Sequence, residues 1–371
     1  MIENMHEKHV EFLKQHHFNE KDFNNFVESI KSGEFSKASN IVKGKISLPD
    51  FASLFNCQNA DPEKKEKYSK IGINALIKGE LACAIMNGGM ATRFGGVVKG
   101  LVPVYDGLTF LEIKLQSFCN IAKKYEIKLP VYLMNSFSTD NDTLEFLEKK
   151  GYFNNKYLDI KCFNQSISLR LNQDGSMFYD SCSNPIFFTP GHGDFSIMFK
   201  KSGMFDDFSK KGCKYLFLSN VDNLVATLDP LIVGSHINSC KAITCESVEK
   251  LEKDAGGAPV IVNDRLQILE DFRFPEGFDK TKIPIFNTNT FIFSKSVFES
   301  KVDLTWFYVE KKIDGNALLQ CERLVGELTS FFDTNFIIVP RFGKKSRFYP
   351  LKTPQDLEKC RLEIKDALQS R

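Results

Sequence analysis

The chain has 371 residues, enough for one large α/β domain with a smaller appendage or for two domains of ordinary size. Its 49 Lys and Arg against 47 Asp and Glu leave a formal charge of +2, which excludes the basic excess of a dedicated nucleic-acid binder and makes any basic site local. No run of about eighteen apolar residues occurs and MIENMHEKH at the N-terminus has no apolar stretch behind it, so no membrane partner is expected and the chain reads as soluble and cytoplasmic.

Phe23, Phe26, Val27 and Ile30 lie on one helix face, and Ser32-Gly33 ends that helix. DPEKKEKYSK from Asp61 opens a charged helix that runs toward Gly79. Residues 1–75 therefore read as a small helical region, and 76–371 as the main domain. After Gly79 short apolar runs alternate with helical patterns: LACAIM at 81, VYLM at 131, YLFLS at 215, PVIV at 259, TFIF at 290 and FIIV at 336. The alternation predicts a doubly wound α/β fold with a mixed, mostly parallel sheet. Thr109 and Glu112 make a capping box, with Leu111, Leu115 and Phe118 following at helical spacing. Asn263-Asp264 marks a hairpin, so the sheet is not purely parallel. TPQDLEKCRLEIKDAL near the C-terminus reads as one helix. The ten cysteines form no C-x-x-C pair and read as reduced core residues, neither a disulfide framework nor a zinc site.

The segment MNGGMATRFGGVVKG, 86–100, follows the apolar run that begins at Leu81. A P-loop is excluded because no hydroxyl residue follows Lys99 to hold Mg²⁺, and the glycine pairs 88–89 and 95–96 do not fit G-x-G-x-x-G. Glycines let the backbone approach an anion and donate its amides, and Arg93 and Lys99 add positive charge. The alternative is a tight turn with two surface cations. YLFLS then exposes Asn220 and Asp222 at a strand's C-terminal edge, where α/β sheets place ligands and where a carboxylate can share Mg²⁺ with substrate phosphates; an Asx turn is the alternative there.

From the glycine segment onward the chain resembles the UDP-sugar pyrophosphorylases, and UDP-glucose pyrophosphorylase more than its relatives. The likeness runs in order through DGLTFLE at 106, LMNSFST at 133, FNQS at 163, PGHGDF at 190, LSNVDNL at 218, GGAP at 256, FNTNT at 286, LQCE at 319 and RFYPLK at 347. It implies a Rossmann-like nucleotidyltransferase fold. It also implies an enzyme that condenses UTP with glucose 1-phosphate to UDP-glucose and pyrophosphate with Mg²⁺.

Residue by residue, the resemblance implies that Met86, Asn87, Gly88, Gly89, Lys99, Gln165, Gly191, Asp222 and Lys352 bind UTP. Gly88, Gly89, His192, Asn220, Glu270, Asn287 and Asn289 are implied at the sugar phosphate, and Asp222 at the metal. Lys99, Arg93, Asp222 and Lys352 would carry catalysis by neutralising charge, with Arg93 meeting the pyrophosphate that leaves. Asp194 is expected only to orient its loop, and Lys344, Lys345 and Arg347 read as a solvated cluster. The family's proline before Lys99 is absent, and DNLV replaces DNLG after Asp222.

Galactose 1-phosphate, an N-acetylhexosamine 1-phosphate or a broad sugar range are the alternatives for the substrate, although PGHGD differs from the acetylhexosamine enzymes. A non-catalytic nucleotide-sugar binder is a further alternative; a nicotinamide dehydrogenase is disfavoured by the failed glycine spacing. Eukaryotic members carry a C-terminal β-helix domain that supports oligomers. Here only about twenty residues follow RFYPLK, and a monomer is expected.

Overall fold

The computed structural model describes residues 5–370, apart from 253 and 314; the extreme N-terminal residues read above lie outside it. Strands β1 (Phe55–Asn56), β2 (Leu81–Met86), β3 (Leu129–Asn135), β4 (Leu158–Asn164), β5 (Tyr215–Asn220), β6 (Ile243–Glu249), β7 (Ile285–Ser294) and β8 (Thr334–Ile338) form one sheet in the order β1-β8-β6-β7-β5-β2-β3-β4. Only β7 runs antiparallel to its neighbours, β5 and β6. The other adjacent pairs are parallel.

Alternate residues of β2 enter different cores, Leu81, Cys83 and Ile85 on one face and Ala82, Ala84 and Met86 on the other. A strand buried on both faces has to be apolar throughout, which is why LACAIM shows no polar alternation. Helices cover both faces: Phe110–Lys124 and Pro354–Gln369 on the first, Phe195–Lys201 on the second. The expected capping box closes the first of these, Thr109 Oγ1 accepting the Glu112 amide while Glu112 Oε2 accepts that of Thr109. The terminal helix carries a second box on Thr353 and Asp356.

Two expectations change. PVIV does not join the central sheet; Ala258–Val262 pairs with Arg265–Leu269 and with Ile46–Ser47 in a separate three-stranded sheet. Its turn is the Asn263-Asp264 hairpin, both residues at positive φ (48° and 66°), the conformation a two-residue hairpin needs and Asn and Asp tolerate. The antiparallel member of the central sheet is instead the strand read from TFIF. The N-terminal region is helical at Glu7–Gln15 and Glu20–Lys31, which pack on Ile167, Leu169, Leu171 and Leu319. It also supplies β1, and the helix Pro62–Ile77 lies so close to Pro230–Ser239 that a Cβ on Gly72 or Gly234 would collide with the other helix's backbone.

Candidate active site

β2, β3, β4 and β5 all end at one edge of the sheet. Asn87, just past β2, donates through Nδ2 to Asn135 Oδ1 (2.8 Å) and Thr143 Oγ1 (3.0 Å). Asn135 and Asn164 both donate to the Asp140 carboxylate, at 2.8 and 2.9 Å. The ends of three parallel strands are thus tied by one polar chain, which makes a rigid floor for the loops above. The Asn87 side chain belongs to that floor and is wholly buried. The residue as a whole is shut off from both hollows and its amide donates to the Met134 carbonyl at 2.8 Å, so the direct nucleotide contact implied for Asn87 by the sequence gives way to a supporting place beneath Gly88.

Above this floor lie two adjoining hollows of about 270 Å³ each. The first is lined by Met86, Gly88, Gly89, Lys99, Gln165 and Gly191. Glycine is dictated at two of these places by close approach: a Cβ on Gly88 would overlap Oε1 of Gln165, and one on Gly191 would stand 2.6 Å from the Arg323 carbonyl oxygen. Gln165 is itself pinned, its Nε2 donating to the Gly191 carbonyl at 2.9 Å. Asp194 sets this geometry from below. Its carboxylate accepts the amide and hydroxyl of Ser166 (2.7 and 2.9 Å) and pairs with the Arg323 guanidinium (3.2 Å). The loop-orienting role expected of Asp194 is therefore what its contacts describe.

The second hollow holds Asn220, Glu270, Asn287, Asn289 and Lys352, and His192, Asn220 and Asp222 face both. Asn289 adopts positive φ (57°), donates through Nδ2 to Asn220 Oδ1 at 3.1 Å, and donates through its backbone amide to Asn287 Oδ1 at 2.9 Å. β5 and β7 are thereby joined through their polar ends. Glu270 follows its strand directly, and a Cβ on Gly257 would come within 2.8 Å of its Oε1. Burial pushes the Glu270 carboxyl up to about 7, against the smaller opposing pull of Arg273. Burial lowers His192 to about 4, so the ring is neutral at physiological pH. Its Nδ1 accepts the Val325 amide at 3.1 Å, which leaves the proton on Nε2 as a donor.

Where the hollows meet, Lys99 Nζ is ion-paired and hydrogen-bonded to Asp222 Oδ2, with each side chain about a quarter exposed. Lys352 is exposed at the rim. Arg93 lies on the exposed connection between the short strands Met90–Ala91 and Val97–Val98 and lines neither hollow. Arg347 is not part of a solvated cluster: it is 3% exposed and forks onto Glu246 at 2.7 and 2.6 Å, while also donating to the Thr227 carbonyl at 2.9 Å. Lys344 and Lys345 are exposed as expected.

Sequence reading passed over two charged residues near this site, Arg323, which pairs with Asp194, and Lys114. Lys114 is fully buried and donates to the carbonyls of Asn223 and Ala226, at 2.7 and 2.5 Å, in the turn that carries Asp222. Burial draws its ammonium down to about 7. The available signal was a lysine on the 111-115-118 apolar stripe. A larger hollow of about 490 Å³ lies between the helix Phe110–Lys124 and the terminal helix, but none of the glycine-segment residues reaches it.

A doubly wound sheet with a glycine-lined cleft and a lysine–carboxylate pair at its C-terminal edge suits a phosphorylated nucleotide, and the comparison with known families makes the class a nucleotidyltransferase. The chain matches the family described as UTP–glucose-1-phosphate uridylyltransferase over residues 21–365, and it belongs to that family. A UTP–glucose-1-phosphate uridylyltransferase of Musa acuminata is 30% identical to it over 91% of this chain and 75% of that protein. The one from Encephalitozoon cuniculi is 28% identical over 94% of this chain and 70% of its own. In fold it resembles the crystal structure of UDP-glucose phosphorylase from Trypanosoma brucei, with TM-score 0.74 and 24% identity over 90% of this chain and 77% of that one.

Proposed function

We propose that this enzyme joins UTP to glucose 1-phosphate, giving UDP-glucose and pyrophosphate in a reversible reaction. The observation that carries the reading is the Lys99–Asp222 pair at the junction of the two hollows, where the α-phosphorus of a nucleotide in one would meet the phosphate of a sugar in the other. The first hollow suits a uridine nucleotide: the loop amides of Gly88 and Gly89 donate to phosphate, and Gln165 offers an amide to the base edge. The second suits a hexose, with Asn220, Asn287, Asn289 and Glu270 supplying short polar groups in fixed positions to its hydroxyls.

A sugar phosphate attacks as an anion, its second pKa being near about 6, so no general base is needed. The barrier is the approach of two polyanions, and the chain lowers it by positioning and by charge. Lys99 and Lys352 meet the phosphates, His192 Nε2–H donates to an oxygen of the sugar phosphate, and Arg93 reaches the departing pyrophosphate from the exposed hairpin.

No cluster of three His, Cys, Asp or Glu exists among the described residues. A lone Asp222 in a phosphate cleft still fits Mg²⁺, which keeps waters and substrate oxygens as its other ligands. Bound there, the ion would neutralise triphosphate charge, and Lys99 would release the Asp222 carboxylate to it and turn to the phosphates.

The ten free thiols fit a reducing cytoplasm, and we propose a monomer, checked by light scattering. The enzymatic test crosses UTP and the other nucleoside triphosphates with glucose, galactose and N-acetylglucosamine 1-phosphates. Pyrophosphate release confined to UTP with glucose 1-phosphate is the expected result. Silence from a protein that binds UTP would leave a nucleotide-sugar binder.

A further inference from the structure

The turn that bears Asp222 is itself almost wholly buried. Val221, Asn223, Leu224, Val225 and Ala226 are each 3% exposed or less, so its carbonyls have little access to water. Part of its backbone is satisfied locally: the Asn223 amide donates to Asn220 O at 3.3 Å and the Ala226 amide to Asn223 O at 3.2 Å. The Asn223 side chain reaches Thr290 Oγ1 on β7 at 3.3 Å. From beneath, Lys114 Nζ binds the carbonyls of Asn223 and Ala226 together, one residue and four residues beyond Asp222.

We infer that Lys114 is a positioning residue for Asp222, a buried two-point clamp that holds the turn in one conformation so that the carboxylate keeps its place when Lys99 leaves it for the phosphates. The inference rests on the proposed role of Asp222 at the metal. Three observations support it. Lys114 stands on a helix anchored at its start by the Thr109–Glu112 box, so its Cα is fixed independently of the cleft. Burial and the neighbouring Arg347 draw its ammonium down while Glu246 and, to a lesser degree, Asp222 hold it up, so the side chain lies within the field of the carboxylate it serves. Finally, Arg347 holds the carbonyl of Thr227, the next residue after Ala226, so the far end of the same turn is also pinned by a buried cation.

The test compares wild type, Lys114→Met, Lys114→Gln and Asp222→Asn by Mn²⁺ titration of the UTP complex, followed by electron paramagnetic resonance, beside kcat and KM. Lys114→Met is expected to weaken Mn²⁺ binding and lower kcat by about 10- to 100-fold, the usual range for a group that orients a metal ligand. KM for glucose 1-phosphate should stay within about twofold, an effect that general loosening would not produce. Lys114→Gln keeps an N–H donor and should fall between, which carries the test if the methionine variant does not fold. Wild-type Mn²⁺ binding in either folded Lys114 variant, with a loss in Asp222→Asn, overturns the inference alone. Wild-type binding in Asp222→Asn overturns the metal role of Asp222 and the inference with it.

Discussion

The two halves of the cleft are built by different means. The half proposed for the nucleotide is mostly backbone: Gly88 and Gly191 are small because Gln165 and the Arg323 carbonyl occupy the space a side chain would need. The half proposed for the sugar is mostly side chain, with Asn220, Asn287 and Asn289 locked to one another across β5 and β7. A backbone cradle can suit any ligand that presents phosphate, whereas a side-chain network can discriminate among hydroxyl arrangements. On the proposed assignment, recognition of the phosphate-bearing part of the nucleotide and of the part that varies among sugars is divided between two kinds of construction.

The largest effect should come at the seam between the halves. Asp222→Ala or Lys99→Ala is expected to reduce kcat by about 100- to 1000-fold in a folded protein, the range for loss of one preorganised charge-stabilising group; near-wild-type turnover would remove that residue from the chemistry. The halves themselves are separated by a smaller pair of effects. Gly88→Ala displaces Gln165 and should raise KM for UTP by about tenfold or more, with KM for glucose 1-phosphate little changed. Asn289→Ala should do the reverse, since it removes the link to Asn220 and leaves alanine in a left-handed conformation. If each variant moved both constants equally, the division would not hold.

The smallest effect is one of pH. In the folded chain the Glu270 carboxyl sits at about 7, above its ordinary value of 4.5, so the folded state binds the proton more tightly than the unfolded one. Its contribution to stability is present below pH 4.5 and is lost as the pH rises toward 7. Glu270→Gln removes the loss, and its melting temperature should gain on wild type between pH 5 and pH 8 by about 2 °C or more. A constant difference across that range would show that burial does not perturb this carboxyl.

The legibility of the site follows the same division. The glycine segment, FNQS and PGHGDF were readable because each is a short local stretch whose composition permits few conformations. Asn287 and Asn289 were placed by resemblance, but the link from Asn289 to Asn220, 69 residues away, exists only because β7 lies beside β5. Arg347 and Lys114 were misread or passed over because a cation's surroundings are set by elements distant in sequence. Arg347 lies 101 residues from Glu246, and Lys114 lies 109 residues from Asn223.

By itself the sequence determined the alternation of strands and helices, the capped helix after the glycine segment, the hairpin at Asn263-Asp264 and the family. These rest on periodicity, turn chemistry and short motifs, all acting within a few residues. Only the tertiary structure decided which strand runs antiparallel, that Ala258–Val262 belongs to a separate sheet, and that the Asn87 side chain faces the floor. It also decided that Lys114 and Arg347 bind carbonyls in and beside the turn of Asp222, since a hydrogen bond or ion pair between distant segments exists only once packing has brought them together and excluded the water that would otherwise satisfy them.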